Sequence, residues 1–145
     1  MIALIQRVER AHVEVDGERV GEIGRGLLAL IAVQPEDGEA QVRRMRERLL
    51  GYRVFEDAQG RMNRSLADIG GGLLLVSQFT LAADTRNGMR ASFSSAAAPE
   101  QAEHWFTRLV EACREVHAGV ETGRFRSHMR VSLVNDGPVT FHLQA

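Results

Sequence analysis

The chain has 145 residues, 44% of them hydrophobic, and 18 basic residues against 19 acidic ones for a formal net charge of −1, which suits one domain, 1–145, with a sizeable core. Every basic residue is an arginine, so a phosphate-loop lysine, a Schiff-base lysine and a Ser/Lys dyad are excluded. The near-neutral balance argues against bulk electrostatic binding of a long DNA duplex, though not against grasping one end of an RNA. Residues 2–8 are apolar-rich, and Ala11, Val13 and Val15 then alternate with polar partners before Asp16-Gly17, predicting a half-buried strand, a turn, and another strand near Val20–Ile23. Gly26–Val33 reads as a central strand buried on both faces. Asp37 is expected to cap a helix in which Val42, Met45, Leu49 and Leu50 form one apolar face. Tyr52–Phe55 predicts a short strand, Asp57–Gly60 a turn, and Leu73–Val76 a second buried strand that delivers Ser77 at its carboxyl end.

From Ala82 to Ala98 no periodicity is convincing, and a loop of that length in a compact domain is usually functional or mobile. Pro99 suits the first turn of a helix whose buried side is marked by Ala102, Trp105, Phe106, Leu109, Val110, Cys113 and Val116, until Gly119 ends it. Val120–Phe125, Arg130–Val134 and Val139–Leu143 read as three further strands. The expected architecture is α+β: a strongly twisted, barrel-like, mostly antiparallel sheet with two main helices. Its open edges need cover, and a second copy of the chain is one way to supply it.

No segment approaches the ~20 apolar residues of a membrane span, and the first residues lack the pattern of a secretory signal. A cytoplasmic protein without membrane association is expected. The single cysteine, Cys113, forms no internal disulfide, and its place on a helical apolar stripe favours a buried role over a reactive thiol. None of His12, His104, His117, His128 and His142 makes a pair at the spacing of a zinc motif, and a chain with one cysteine has no CxxC pattern, so no metal or other cofactor is expected. Arg43, Arg44, Arg46 and Arg48 cluster on one helix, either as its solvated face or as a basic patch.

Two segments concentrate the chemistry. Ser77-Gln78-Phe79-Thr80-Leu81 closes an apolar run, yet Ser77 lies in no GxSxG elbow and nothing adjacent would activate the Thr80 hydroxyl as a nucleophile. Ser77, Gln78 and Thr80 either satisfy backbone groups where a strand leaves its sheet, or offer amides and hydroxyls that hold a substrate and stabilise an oxyanion. Asn135-Asp136-Gly137-Pro138-Val139-Thr140 is read as a turn between two strands, or as supplying a rigid Gly-Pro bond in the cis form that serves a specific geometric need.

Together these segments resemble the motifs SQFTL and NxGPVT of the D-aminoacyl-tRNA deacylase family. The resemblance extends to Ile5-Gln6-Arg7-Val8, to 54–57 and 60–63, and to 131–134. It implies a homodimer that hydrolyses the ester between a D-amino acid and the 3′-terminal ribose of tRNA, with glycyl-tRNA as a further substrate. It implies that Ser77, Gln78 and the Phe79 backbone hold the aminoacyl group and that Thr80 supports the pocket or, in an older view, attacks the ester. It also implies that Gly137 and Pro138 enter the partner's site and exclude L-amino acids, and that Phe125 and Met129 flank the terminal adenine. The family's usual GxFGADM stands here as Gly123-Arg124-Phe125-Arg126-Ser127-His128-Met129, and its GNRPSF as Gly88-Met89-Arg90-Ala91-Ser92-Phe93. The competing expectation is a non-catalytic dimer on the same scaffold that binds an RNA end or a small ligand; a metal-free esterase for unrelated esters is disfavoured by the missing nucleophile–base pair.

Overall fold

The computed structural model describes residues 1–145. In chain order it contains β1 (Ile2–Val15), β2 (Glu18–Ile23), β3 (Gly26–Ala32), α1 (Glu39–Gly51), β4 (Phe55–Glu56), β5 (Met62–Arg64), α2 (Leu66–Ile69), β6 (Gly72–Ser77), a 3₁₀ turn (Phe79–Ala82), α3 (Pro99–Arg114), β7 (Val120–Thr122) and β8 (Arg130–Gln144). The six long-range strands run β2-β1-β3-β6-β7, with β8 on the other edge of β1; β4 and β5 form a small separate hairpin. Pairings with β1 are antiparallel, whereas β3, β6 and β7 are mutually parallel. Two crossovers make that possible, one containing α1 and the other α3.

Local sequence accounts for these elements. Asp16 and Gly17, both at positive φ, form the two-residue turn that joins β1 to β2 with the twist of the flanking strands. Along β3 and β6 every side chain but that of the terminal Ser77 is apolar: Leu27, Ala29, Ile31, Leu73 and Leu75 pack under α1 and α3, while Leu28, Leu74 and Val76 face Val8, Ala11, Val13 and Ile23 inside the curled sheet. Each fully buried leucine here contributes about 2–3 kcal/mol. The curl nearly closes where β2 meets β7. A Cβ on Gly21 would stand 2.2 Å from the Thr122 carbonyl oxygen, so only glycine lets these backbones approach. The α+β, barrel-like, mostly antiparallel architecture with two main helices is therefore the one the strand pattern predicts.

Several local expectations are corrected. Asp37 does not cap α1; Gly38 holds that position and its amide donates to Gln41 Oε1, while the Asp37 carboxylate is buried against the Met1 ammonium and accepts the Gln34 amide. Val116 lies beyond the end of α3 and is 61% exposed, because the apolar stripe runs out with the helix at Arg114. The strand expected at 52–55 is only Phe55–Glu56, and the one expected at 120–125 stops at Thr122. Arg130–Val134 and Val139–Leu143 are not separate strands: both ends of β8 pair with β1, and the turn residues between them form an excursion within one strand. The capping box Ser65–Asp68, which starts α2, was not anticipated, although its S-x-x-D spacing was legible.

Candidate functional site

Parallel strands β3 and β6 end side by side, with Ile31 opposite Ser77, and the Gln78 amide donates to the Ile31 carbonyl at 2.7 Å. There the chain leaves the sheet and winds into the 3₁₀ turn. Only amides from the third residue onward find carbonyls in such a turn: Leu81 donates to Gln78 O and Ala83 to Thr80 O. The leading amides, those of Phe79 and Thr80, have no acceptor inside the turn and are donors for an incoming oxygen. The carboxyl ends of parallel strands are where such sheets bind ligands.

Beside this turn opens a cavity of about 410 Å³, lined by apolar side chains and a few polar ones. Ser77, Gln78 and Phe79 form one wall; Phe125 through Met129 form another; Pro99 and Ala102 at the start of α3 close a third. Five of the eight site residues expected from sequence thus meet in one cavity: Ser77, Gln78, Phe79, Phe125 and Met129. Loop 82–98 reaches it only through Ala97, whose amide is tied to the Val33 carbonyl. Farther along the same loop Phe93 stacks at 5.1 Å on Phe79, which is itself 55% exposed.

Thr80 stands apart from the lining. Its hydroxyl oxygen accepts a 2.6 Å hydrogen bond from Gln78 Nε2 and meets no base. That geometry suits a residue that orients Gln78 better than a nucleophile. Of the histidines only His128 lines the cavity. No group of three or more His, Cys, Asp or Glu side chains is placed to hold a metal ion. The Cys113 thiol is buried, which pushes its pKa up to about 12 against the weaker opposing pull of Arg46. It is a core residue.

Gly137 and Pro138 are elsewhere. Between the pairs Gln6–Thr140 and Val8–Asn135, β1 spends one residue, Arg7, and β8 spends four, 136–139. The surplus bulges outward, leaving Gly137 and Pro138 exposed, and the peptide bond between them is cis. Arg7 anchors the base of the bulge. Its guanidinium is almost wholly buried and donates from Nε to Asp136 O at 2.8 Å and from Nη1 to Val54 O at 2.7 Å, while Asn135 Nδ2 donates to Arg7 O and Val139 O. Sequence reasoning did not single out Arg7 for this task. The available signal was an arginine in the buried phase of an apolar strand.

The stretch 123–129 carries two further features. Arg126 sits at φ 59, one of only two non-glycine residues at positive φ, a conformation that costs on the order of 1 kcal/mol for such a residue. Its Nη2 donates at 3.1 Å to Glu100 in the first turn of α3. The Glu100 carboxyl is held below its ordinary pKa, first by its own backbone amide and then by Arg126. The Arg43–Arg48 cluster stays on α1 away from the cavity; Arg44 pairs with Glu47, and Arg48 lies over the Tyr52 ring.

The profile of the family described as D-Tyr-tRNA(Tyr) deacylase matches residues 4–144. A D-aminoacyl-tRNA deacylase of Stenotrophomonas maltophilia (strain K279a) is 71% identical over 145 residues, covering 99% of each chain. One of Alkalilimnicola ehrlichii is 66% identical, covering 100% of this chain and 97% of the relative. Among solved structures, one described as c-Myc DNA Unwinding Element Binding Protein superposes with a TM-score of 0.96 at 37% identity, covering 100% of this chain and 99% of that one.

Proposed function

The chain belongs to the D-Tyr-tRNA(Tyr) deacylase family, and from that premise we propose that it hydrolyses the ester between a D-amino acid and the 3′-terminal ribose of tRNA. The observation that carries the reading is the meeting of Ser77, Gln78 and Phe79 with Phe125 and Met129 in one cavity, with the free leading amides of the 3₁₀ turn beside it. Phe125 and Met129 flank the terminal adenine. The ester carbonyl lies against the turn, where the Phe79 and Thr80 amides receive the charge that grows on its oxygen.

An aminoacyl ester is already reactive, so positioning and oxyanion stabilisation suffice without a strong base or a metal. Water adds to the carbonyl carbon, assisted by the terminal ribose's own 2′-hydroxyl. The tetrahedral intermediate collapses by breaking the bond to the ribose oxygen, which takes up a proton; the products are the free D-amino acid and the tRNA. Thr80 holds Gln78 rather than attacking.

Selectivity belongs to a homodimer. The exposed bulge of one subunit reaches the cavity of the other, and the backbone at Gly137 and Pro138 occupies the space an L-side chain would need. Glycine, without a side chain, passes the same filter, so glycyl-tRNA is a further substrate. Support comes from the position of the bulge, which is exposed and takes no part in lining the cavity of its own chain. Strand β8 also presents Val131, Leu133, Val139 and Phe141 only half-buried along a sheet edge, the kind of surface a second copy covers. A tRNA-directed enzyme of this kind acts in the cytoplasm.

The deciding experiment is hydrolysis of matched D- and L-tyrosyl-tRNA, with Thr80→Ala in parallel and chelator present. Rapid loss of the D-ester alone, retained by the variant, is expected. Binding of the tRNA without cleavage of either ester would instead establish the non-catalytic binding dimer, and a trapped aminoacyl ester on Thr80 of the wild-type protein, together with a dead but folded Thr80→Ala, would restore the threonine nucleophile.

A further inference from the structure

We propose that Arg126 is a substrate-binding residue that takes the phosphodiester joining the last two nucleotides of the RNA, and that Glu100 holds its guanidinium at the cavity mouth until the RNA displaces it. This rests on the deacylase reading above.

Arg126 follows Phe125 directly and lines the same cavity, and its guanidinium reaches Glu100 beside the lining residue Pro99. It keeps a backbone conformation that favours glycine, and an observed outlier of that kind at a cavity wall is grounds for seeking a task for the side chain. Its only ionic partner is Glu100, reached through one nitrogen at 3.1 Å, with side chains 55% and 81% exposed. Such a pair contributes little stability and exchanges readily. A phosphodiester offers the guanidinium two oxygens in matched geometry, a better acceptor than a single carboxylate oxygen. Glu100 follows Pro99, itself part of the lining, so the pair spans the mouth from the start of α3 to the 123–129 loop. A nucleoside whose base enters between Phe125 and Met129 is thereby placed to direct its 5′-phosphate toward that pair. His128 and Ser127 complete this rim and offer further donors.

The test uses Arg126→Gly, which removes the guanidinium while relieving the backbone strain, with Arg126→Lys and Glu100→Gln beside it. Two readouts are needed: KM and kcat on D-tyrosyl-tRNA across salt concentrations, and equilibrium binding of adenosine and of the trinucleotide CCA. Arg126→Gly is expected to raise KM about five- to tenfold with kcat nearly unchanged, and to reduce the log–log salt slope by about 0.7, the loss of one phosphate contact on a single strand. It is expected to weaken CCA but not adenosine. Arg126→Lys should recover part of the loss, and Glu100→Gln should lower KM.

Unchanged KM and salt slope in Arg126→Gly would overturn the proposal, as would equal weakening of CCA and adenosine. If the wild-type protein cleaves no D-ester, the deacylase reading fails, and the CCA-to-adenosine ratio still decides the role of Arg126.

Discussion

The turn at 77–82 and the bulge at 135–140 are both polar segments attached to strands, yet the chain treats them in opposite ways. The first is recessed on its cavity side: it lies at the ends of two parallel strands and shares a cavity with the start of α3 and the 123–129 loop, while Phe79 and Thr80 keep an exposed outer face. The second is displayed: it is pushed outward by the mismatch of one residue against four, and is fixed only at its base. On the proposed reading, a cavity made in the first way binds and activates an ester by itself. A bulge made in the second way has nothing in its own chain to act on, and its rigidity becomes useful only against another molecule.

The largest break in this contrast is expected from Arg7→Ala. The substitution removes two charge-assisted hydrogen bonds and leaves the buried Val54 carbonyl and the part-buried Asp136 carbonyl short of donors, a loss of about 2–4 kcal/mol. Urea unfolding should read it directly. Adenosine binding by the folded fraction should be unchanged, since none of the hydrogen-bond partners of Arg7 lines the cavity; a parallel loss there would mean that the two regions are not independent.

Gly137→Ala sharpens the comparison at a single atom. A Cβ at Gly137 would stand 2.1 Å from the Val139 amide nitrogen and 2.9 Å from Asn135 Oδ1, so the bulge must change shape. Displacing a positioning group by ~1 Å costs on the order of 100-fold. D-versus-L discrimination on tyrosyl-tRNA should therefore fall toward that extent, with KM for the D-ester little altered. Unchanged discrimination would detach the bulge from selectivity. Phe125→Ala addresses the recessed region and should act in the reverse sense. Stacking on one base is worth about 1–3 kcal/mol, so KM should rise about tenfold or more while discrimination holds.

The same contrast explains what was legible beforehand. Strands β3 and β6 were readable because they are buried on both faces and so nearly uniformly apolar, and α3 because its apolar residues keep helical spacing behind Pro99. The sequence left 135–140 open between a turn joining two strands and a rigid Gly-Pro unit, and the turn reading failed because Asn, Asp, Gly and Pro suit turn and bulge alike; what separates the two is whether the flanking strands pair with each other or with a common neighbour, and that is a long-range property. Arg7 was hidden for a related reason, its partners lying 47 and 129 residues away. Asp37 shows the converse: its local sequence offered a helix cap, and a long-range partner, the Met1 ammonium, claimed the carboxylate. Motif residues 77–79, 125 and 129 were identifiable one by one, but their meeting in one cavity depends on the crossover through α3.

The smallest expected effect lies in the loop that follows the recessed turn. Asp84 and Ser92 exchange two backbone hydrogen bonds, and the Asp84 carboxylate accepts the Arg86 amide, Nε and Nη2. The Arg86 side chain, and after it the Arg86 amide, hold the Asp84 carboxyl well down, at about 2 against an ordinary 3.8. Because its folded pKa is depressed, its contribution is complete above pH 4 and is lost as the pH falls through about 2. Amide exchange in residues 86–92 should therefore show no protection change attributable to this carboxyl between pH 5 and 7, and should accelerate in Asp84→Asn at neutral pH. The cavity touches this loop only at Ala97, and Phe93 meets Phe79 through an exposed aromatic contact, so KM should barely move. A large rise in KM would show that the loop shapes the recessed turn, and that the turn is less self-sufficient than its backbone bonds to β3 make it.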